Sequence, residues 1–103
     1  MSLRPGQEVA AARVKLVLQH DGNLVAYDEA NQARWSSETH GTGARADFQP
    51  DGNLVVYDAQ DQAVWASETN YHDDDNVVLM LQSDGDITIR EGETVLWSAG
   101  TNH

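Results

Sequence analysis

The chain is 103 residues long, carries a formal net charge of −11 from 17 acidic and 6 basic residues, and contains no cysteine. Such a length supports one domain with a modest core, and the lack of cysteine excludes a disulfide framework and a thiolate metal site. The few basic residues are scattered rather than patched, which excludes a nucleic-acid surface and docking onto an anionic membrane.

No apolar run approaches the ~20 residues of a membrane span, so no membrane insertion is expected. The opening MSLRPGQEV has no apolar stretch of a secretory leader. The expected setting is the cytoplasm, or export by a route without a signal peptide, or a place inside a longer polypeptide.

In chain order, Val14, Leu16 and Leu18 alternate with Arg13, Lys15 and Val17, which predicts a half-buried strand. A turn at Asp21-Gly22 follows, then a second strand in which Leu24 and Ala26 alternate with Val25 and Tyr27, and then Trp35. The phrase QHDGNLVAY at 19–27 returns as QPDGNLVVY at 49–57, followed by Trp65. A worn third copy begins with Val77, Leu79 and Leu81, turns at Asp84-Gly85, continues through Ile87 and Ile89, and ends at Trp97. The chain is thus read as a single domain, 1–103, of three repeats at about 14–39, 44–69 and 77–101. Period two, β-branched residues and Asp-Gly turns predict an all-β fold of short antiparallel hairpins, with no helix. One such small sheet cannot bury its inner face alone, but three around a pseudo-threefold axis bury one another. Trp35, Trp65 and Trp97 recur once per repeat, even where the rest of the phrase has decayed, and so are expected in the core.

The five alternate positions of the phrase carry the chemistry. Side chains alternate along a strand, so Asn23, Val25 and Tyr27 share one face. A two-residue loop would place Gln19 opposite Leu24, toward the core. A three-residue loop of Asp21, Gly22 and Asn23 would place it opposite Val25, on the outer face with Tyr27, and leave Leu18 inward. Burial favours the odd loop, with Asn23 suited to its left-handed position. Gln19, Asp21, Asn23, Val25 and Tyr27 then form one patch, and Gln49, Asp51, Asn53, Val55 and Tyr57 form a second. Each holds neutral donors and acceptors, a single charge and one apolar spot. That set suits a neutral ligand studded with hydroxyls, such as a sugar. Turn and strand preferences alone explain Asp-Gly-Asn, but not the repeated Gln and Tyr.

Q-x-D-x-N-x-V-x-Y in repeats of about thirty residues resembles the bulb-type, or monocot mannose-binding, lectins, here in a bacterial-type form without the disulfide usual in plant members. The resemblance spans about residues 14–101. It implies a β-prism II fold of three four-stranded antiparallel sheets, and α-D-mannose as ligand. Asp21 and Asn23 would bind the axial 2-hydroxyl, Gln19 the 3-hydroxyl and Tyr27 the 4-hydroxyl, with Val25 against the ring; Asp51, Asn53, Gln49, Tyr57 and Val55 would do the same. In the third repeat Gln82 and Asp84 persist, but Asp86, Thr88 and Arg90 replace Asn, Val and Tyr. Asp86 and Asp84 would offer two like-charged acceptors, partly neutralised by Arg90, so this site is expected to be weak or inactive. The resemblance also implies a homodimer in which segment 93–101 is exchanged between subunits.

Other chemistry finds little support. His20, His40, His72 and His103 share no position between repeats and are expected to be solvent-exposed loop residues. The acidic run at 72–76 lacks the spacing of a calcium loop and reads as a solvated linker. Ser36, Ser37 and Ser67 have no base at fixed spacing, and Asp21 and Asp51 stand alone rather than paired across a cleft. No catalysis, metal or cofactor is expected. An interaction or toxin-like receptor-binding module on the same fold, with vestigial sugar sites, is the alternative reading.

Overall fold

A computed structural model describes residues 1–70 and 77–103, and among these there is no helix. Eleven strands run in chain order: β1 (Ser2–Leu3), β2 (Glu8–Ala10), β3 (Val14–Leu18), β4 (Leu24–Asp28), β5 (Ala33–Ser36), β6 (Arg45–Phe48), β7 (Leu54–Tyr57), β8 (Ala63–Ala66), β9 (Val77–Leu81), β10 (Ile87–Glu91) and β11 (Thr94–Ser98). They form antiparallel sheets ordered β2-β3-β4-β5, β1-β6-β7-β8 and β9-β10-β11. This is the expected β-prism II architecture. Two sheets have four strands; the third has three among the described residues. The expected sequence repeats begin at residue 14, and the two short N-terminal strands lie ahead of them. β1 and β2 each add an outer strand to a different sheet, β1 to the second repeat and β2 to the first.

Alternation decides the core. Leu16, Leu18, Leu24, Ala26, Leu54, Val56, Ile87 and Ile89 are almost wholly buried and form one cluster with Leu3, Val14 and Ala46. Their strand neighbours face outward, so each hairpin contributes one apolar face to a shared interior. The three tryptophans meet there, with ring centroids 5.1, 5.4 and 5.7 Å apart and interplanar angles of 67°, 77° and 70°. Edge-to-face contacts of this kind add ~0.5–1.5 kcal/mol each beyond area burial. Each Trp sits opposite the last core residue of the central strand: Ala26, Val56 or Ile89. One residue beyond each of those pairs the register shifts, at Ala26/Tyr27, Val56/Tyr57 and Ile89/Arg90. A bulge re-aims the strand locally, and here it falls beside the outward Tyr or Arg of each repeat.

Trp97 reaches the cluster from β11, which pairs with β10 of the same chain. Strand exchange is therefore not needed to complete this core. The hairpin register also differs from the sequence expectation, by two residues along the partner strand. Leu18 pairs with Leu24 and Val17 with Val25, and the Gln19 amide donates to the Asn23 carbonyl at 2.9 Å. The three-residue loop is thus His20-Asp21-Gly22, with Gln19 opposite Asn23 rather than Val25. The physical reason is the left-handed position, which Gly22 takes at φ +89° and which costs glycine little. A side chain here has no room in either direction, because a Cβ built on the neighbouring Gly43 would lie 2.0 Å from the Gly22 carbonyl oxygen. The loop is odd either way, so the face assigned to Gln19 is unchanged.

Candidate functional site

The outer face of β3–β4 brings the five residues of the first phrase together. Gln19 donates from Nε2 to the Tyr27 hydroxyl. Because that oxygen accepts from Gln19, its own proton points elsewhere, and Gln19 Oε1 stays available as an acceptor. Asp21 Oδ1 accepts from the Asn23 amide at 2.9 Å, an Asx turn that shapes the loop and leaves the second carboxylate oxygen outward.

Asn23 is held by residues that the motif does not contain. Its Oδ1 accepts from the Thr39 amide at 3.2 Å and lies 3.4 Å from Ser37 Oγ, whose one proton is shared between it and Thr39 Oγ1. Ser37 also takes the Leu24 amide at 3.1 Å and shares a 2.7 Å bond with Thr39 Oγ1, which in turn donates to the Gly22 carbonyl at 2.8 Å. Ser37 and Thr39 are buried. With its carbonyl fully engaged, Asn23 turns its NH₂ outward as a fixed donor beside the Asp21 acceptor. No described residue partners that NH₂.

The second phrase repeats this construction. Gln49 Nε2 donates to the Tyr57 hydroxyl, and Asp51 Oδ1 takes the Asn53 amide at 3.0 Å. Asn53 Oδ1 accepts from Ser67 Oγ at 3.1 Å and the Thr69 amide at 3.3 Å. The bracing Ser and Thr come from SSET and ASET, just after each Trp. Their recurrence was the available signal; strand alternation does not reach into a loop that crosses from the third strand back to the hairpin tip. A second unforeseen feature is a cation over each phenol: Lys15 Nζ lies 5.7 Å from the Tyr27 ring centroid, and Arg45 Cζ lies 4.3 Å from that of Tyr57.

Val25 and Val55 are buried, at 3% and 2% exposure, yet stand outside the core cluster. Each lies between the Asn and the Tyr of its phrase along the central strand, as a buried rather than an exposed apolar spot.

The third repeat brings the same positions together with different bonds. Asp86 is buried, and its Oδ1 accepts from the Ile87, Gly100 and Thr101 amides at 2.9, 3.0 and 3.1 Å. Its Oδ2 accepts from Ser98 Oγ at 2.8 Å. Ala99 stands where Ser37 and Ser67 stand in the other repeats, so the carboxylate replaces amide carbonyl and hydroxyl together. This corrects the expectation that Asp86 faces the ligand position beside Asp84. It faces the loop, and nothing at this position donates outward. Nor does Arg90 neutralise it. Arg90 Nε donates to Thr88 Oγ1 at 3.3 Å, and Gln82, in the orientation that satisfies both ends of its amide, accepts from Arg90 Nη2 at 2.8 Å and donates to Asp84 Oδ1 at 3.1 Å. The surface here is a cavity of about 440 Å³ lined by Met80, Gln82, Ser83, Asp84 and Arg90 among others.

Elsewhere the hairpin turn after β4 is built on Asp28, whose Oδ1 takes the Ala30 and Gln32 amides at 2.9 Å while Oδ2 pairs with Arg34 at 2.8 Å. Those bonds, the Gln32 amide first and then Arg34, hold its carboxyl below the usual range. Glu29 is also lowered, by Arg13 and then by His103. His103 is not the free loop residue expected: Nε2 lies 2.7 Å from Glu29 Oε1 and Nδ1 lies 2.8 Å from the Thr101 carbonyl. Asp28, Glu29 and His103 approach one another closely enough to suggest a metal, but Arg34 and Arg13 already occupy the two carboxylates. Residues 72–76, expected as a solvated linker, and His72 with them, lie outside the described residues.

Known structures share this fold. The chain is 38% identical to monomeric monocot mannose-binding lectins from Gastrodia elata, with a TM-score of 0.85, covering 100% of this chain and 94% of that one. It is 33% identical to the Polygonatum cyrtonema lectin complexed with monomannoside, at a TM-score of 0.74 over 97% and 90% of the two chains. The mannose-specific agglutinin from snowdrop (Galanthus nivalis) bulbs, complexed with methyl-α-D-mannoside, is 30% identical at a TM-score of 0.74, over 100% and 93%. No family model matches the chain, and no curated protein matches it in sequence. By fold, identity and coverage the chain belongs to the bulb-type, or monocot mannose-binding, lectin family.

Proposed function

We propose that residues 1–103 act as one lectin domain that binds α-D-mannose and mannose-containing glycans, without catalysis, at the two intact patches. The supporting observation is the fixed pairing of an outward amide donor with an outward carboxylate acceptor, Asn23 with Asp21 and Asn53 with Asp51. A hydroxyl both donates and accepts, so one axial 2-hydroxyl satisfies both groups at once. Gln19 and Gln49 offer an acceptor to the 3-hydroxyl, Tyr27 and Tyr57 a donor to the 4-hydroxyl, and Val25 and Val55 underlie the ring. The third patch lacks the donor and contributes little to mannose binding.

Four or five neutral hydrogen bonds at ~0.5–1.5 kcal/mol each, less the cost of immobilising a small ligand, leave an affinity on the order of millimolar. Useful avidity then comes from several sites on one branched glycan. Exchange of segment 93–101, implied by the family resemblance, is not required for this, since β11 lies on its own β10. The test is an NMR titration with methyl α-mannoside. Two sites per chain that disappear in Asn23→Asp and Asn53→Asp respectively support the reading; binding unchanged by both substitutions overturns it.

A further inference from the structure

Lys15 and Arg45, the cations beside the two phenols, hold equivalent places thirty residues apart, but only one of them is neutralised. Arg45 Nε lies 3.1 Å from Asp47 Oδ2, and its Nη1 pairs with Asp61. The residues thirty positions earlier are Val17 and Asn31. The match is structural as well. Val17 pairs with Val25 as Asp47 pairs with Val55, and Asn31 and Asp61 take the same left-handed turn position, at φ 61° and 62°. Both carboxylates that serve Arg45 are thus neutral groups around Lys15. Among the described residues Lys15 has no carboxylate partner, only the Tyr27 ring. The Asn31 side-chain amide is likewise without a partner there.

Lys15 and Asn31 border a hollow of about 200 Å³ past the Tyr27 end of the first patch, together with Ala10, Ala12 and Glu29 among others. The carboxylates at this end are already engaged: Glu29 by Arg13 at 2.9 Å and His103 at 2.7 Å, Asp28 by Arg34 at 2.8 Å. Arg13, Lys15 and Arg34 against Asp28 and Glu29 leave one positive charge, three minus two, in a chain of net charge −11. At the equivalent positions of the second repeat Arg45 stands against Asp47, Asp58 and Asp61, one minus three, which leaves two negative charges. Glu8, opposite Val17 on β2, and Asp21 are the remaining carboxylates on the face of the first patch, both on the hairpin-loop side of Lys15.

Resting on the mannose reading, we infer that the first patch, unlike the second, takes a mannose that carries an anionic group at carbon 6, held by Lys15 and the Asn31 amide. With the 4-hydroxyl on Tyr27, carbon 6 is two bonds beyond carbon 4 and is the substituent carried toward the hollow. The ammonium offers three donors to such a group and the amide two more. In the second patch the Asp47 and Asp61 carboxylates repel the same group. A phosphate ester and a carboxylate share the chemistry that this end recognises.

NMR titration of the full chain tests it, followed at the Tyr27 and Tyr57 ring signals, at low salt and above the second phosphate ionisation (pKa ~6). Methyl α-mannoside sets the reference at each site; its 6-phosphate and methyl α-mannuronoside, with a carboxylate at carbon 6, are the anionic probes. At the first site the 6-phosphate binds roughly two- to fivefold tighter than the reference, the range of one surface ion pair, and the gain fades as salt is added. At the second site it binds no tighter. A gain with both probes marks the charge alone, and a gain with the 6-phosphate only marks the longer group. Lys15→Gln removes the gain, as does Val17→Asp with Asn31→Asp, while Asp47→Val with Asp61→Asn confers it on the second site. Should a variant fail to fold, the wild-type difference between the two sites decides. Equal ratios of probe to reference at both sites, or a gain that survives Lys15→Gln, overturns the inference with the mannose reading intact. Methyl α-mannoside binding at neither site overturns the mannose reading, and this inference with it.

Discussion

The first two repeats and the third share a scaffold and differ in what they display. All three have a glycine at φ near +89° in the hairpin loop, a Trp opposite the last core residue, a bulge after it, and a Thr whose hydroxyl caps the glycine carbonyl: Thr39 on Gly22, Thr69 on Gly52, Thr101 on Gly85. Against that constancy, the replacements in the third repeat come in coupled pairs. Asn becomes Asp as Ser becomes Ala, and one carboxylate takes over the bonds of both. The Tyr with a basic residue opposite it becomes Arg90 with Val78 opposite. Buried polar groups stay satisfied throughout, since leaving one unpaired costs ~1–3 kcal/mol. The hairpin is thus maintained separately from the sugar chemistry it presents, and a repeat can lose the second while keeping the first.

Five experiments break or sharpen that contrast. The largest effect falls on the shared scaffold: Trp35→Ala and Trp97→Ala should each cost ~3–5 kcal/mol in urea unfolding, by similar amounts despite the different state of their repeats. Next, Asn53→Asp should weaken the second site by ~1–3 kcal/mol while the domain stays folded, because an aspartate in that loop is tolerated at Asp86. The reverse conversion, Asp86→Asn with Ala99→Ser, Thr88→Val and Arg90→Tyr, should raise the number of mannoside sites seen by NMR titration by one; Asp86→Asn alone should not, for want of the bracing serine. Tyr27→Phe should weaken the first site by only ~0.5–1.5 kcal/mol, leaving the second unchanged.

The smallest effect concerns pH. Asp28 has a lowered carboxyl pKa in the fold, so its contribution is present above the usual carboxylate range and is lost as pH falls through the folded value. Asp28→Asn should therefore be less stable than wild type at neutral pH, with the gap closing in acid. Asp58→Asn should open a smaller gap, because Asp58 makes the same two backbone bonds, to Gln60 and Gln62, but has Val64 where Asp28 has Arg34.

Much of this was legible in the residues. Alternation located the hairpins, the core leucines and the shared face of Gln19 and Tyr27, because a half-buried strand leaves a period-two record. Short elements leave none. β1 and β2, of two and three residues, are set by what they cover, so they could not be read from pattern. The loop slipped by one residue because Asn and Gly both tolerate left-handed backbone, and only packing against Gly43 discriminates between them. Ser37 and Thr39 act across fourteen or more residues of chain, and Asp86 turned inward for a serine that is absent at position 99; both depend on partners brought together only by folding.

The three indoles have one more consequence. Edge-to-face rings little more than 5 Å apart couple electronically, and each is supplied by a different sheet. Their combined near-ultraviolet signature therefore requires all three sheets to be docked at once, and displacing any one of them dims the signal of the other two. The molecule carries its own optical gauge of closure, readable without a label.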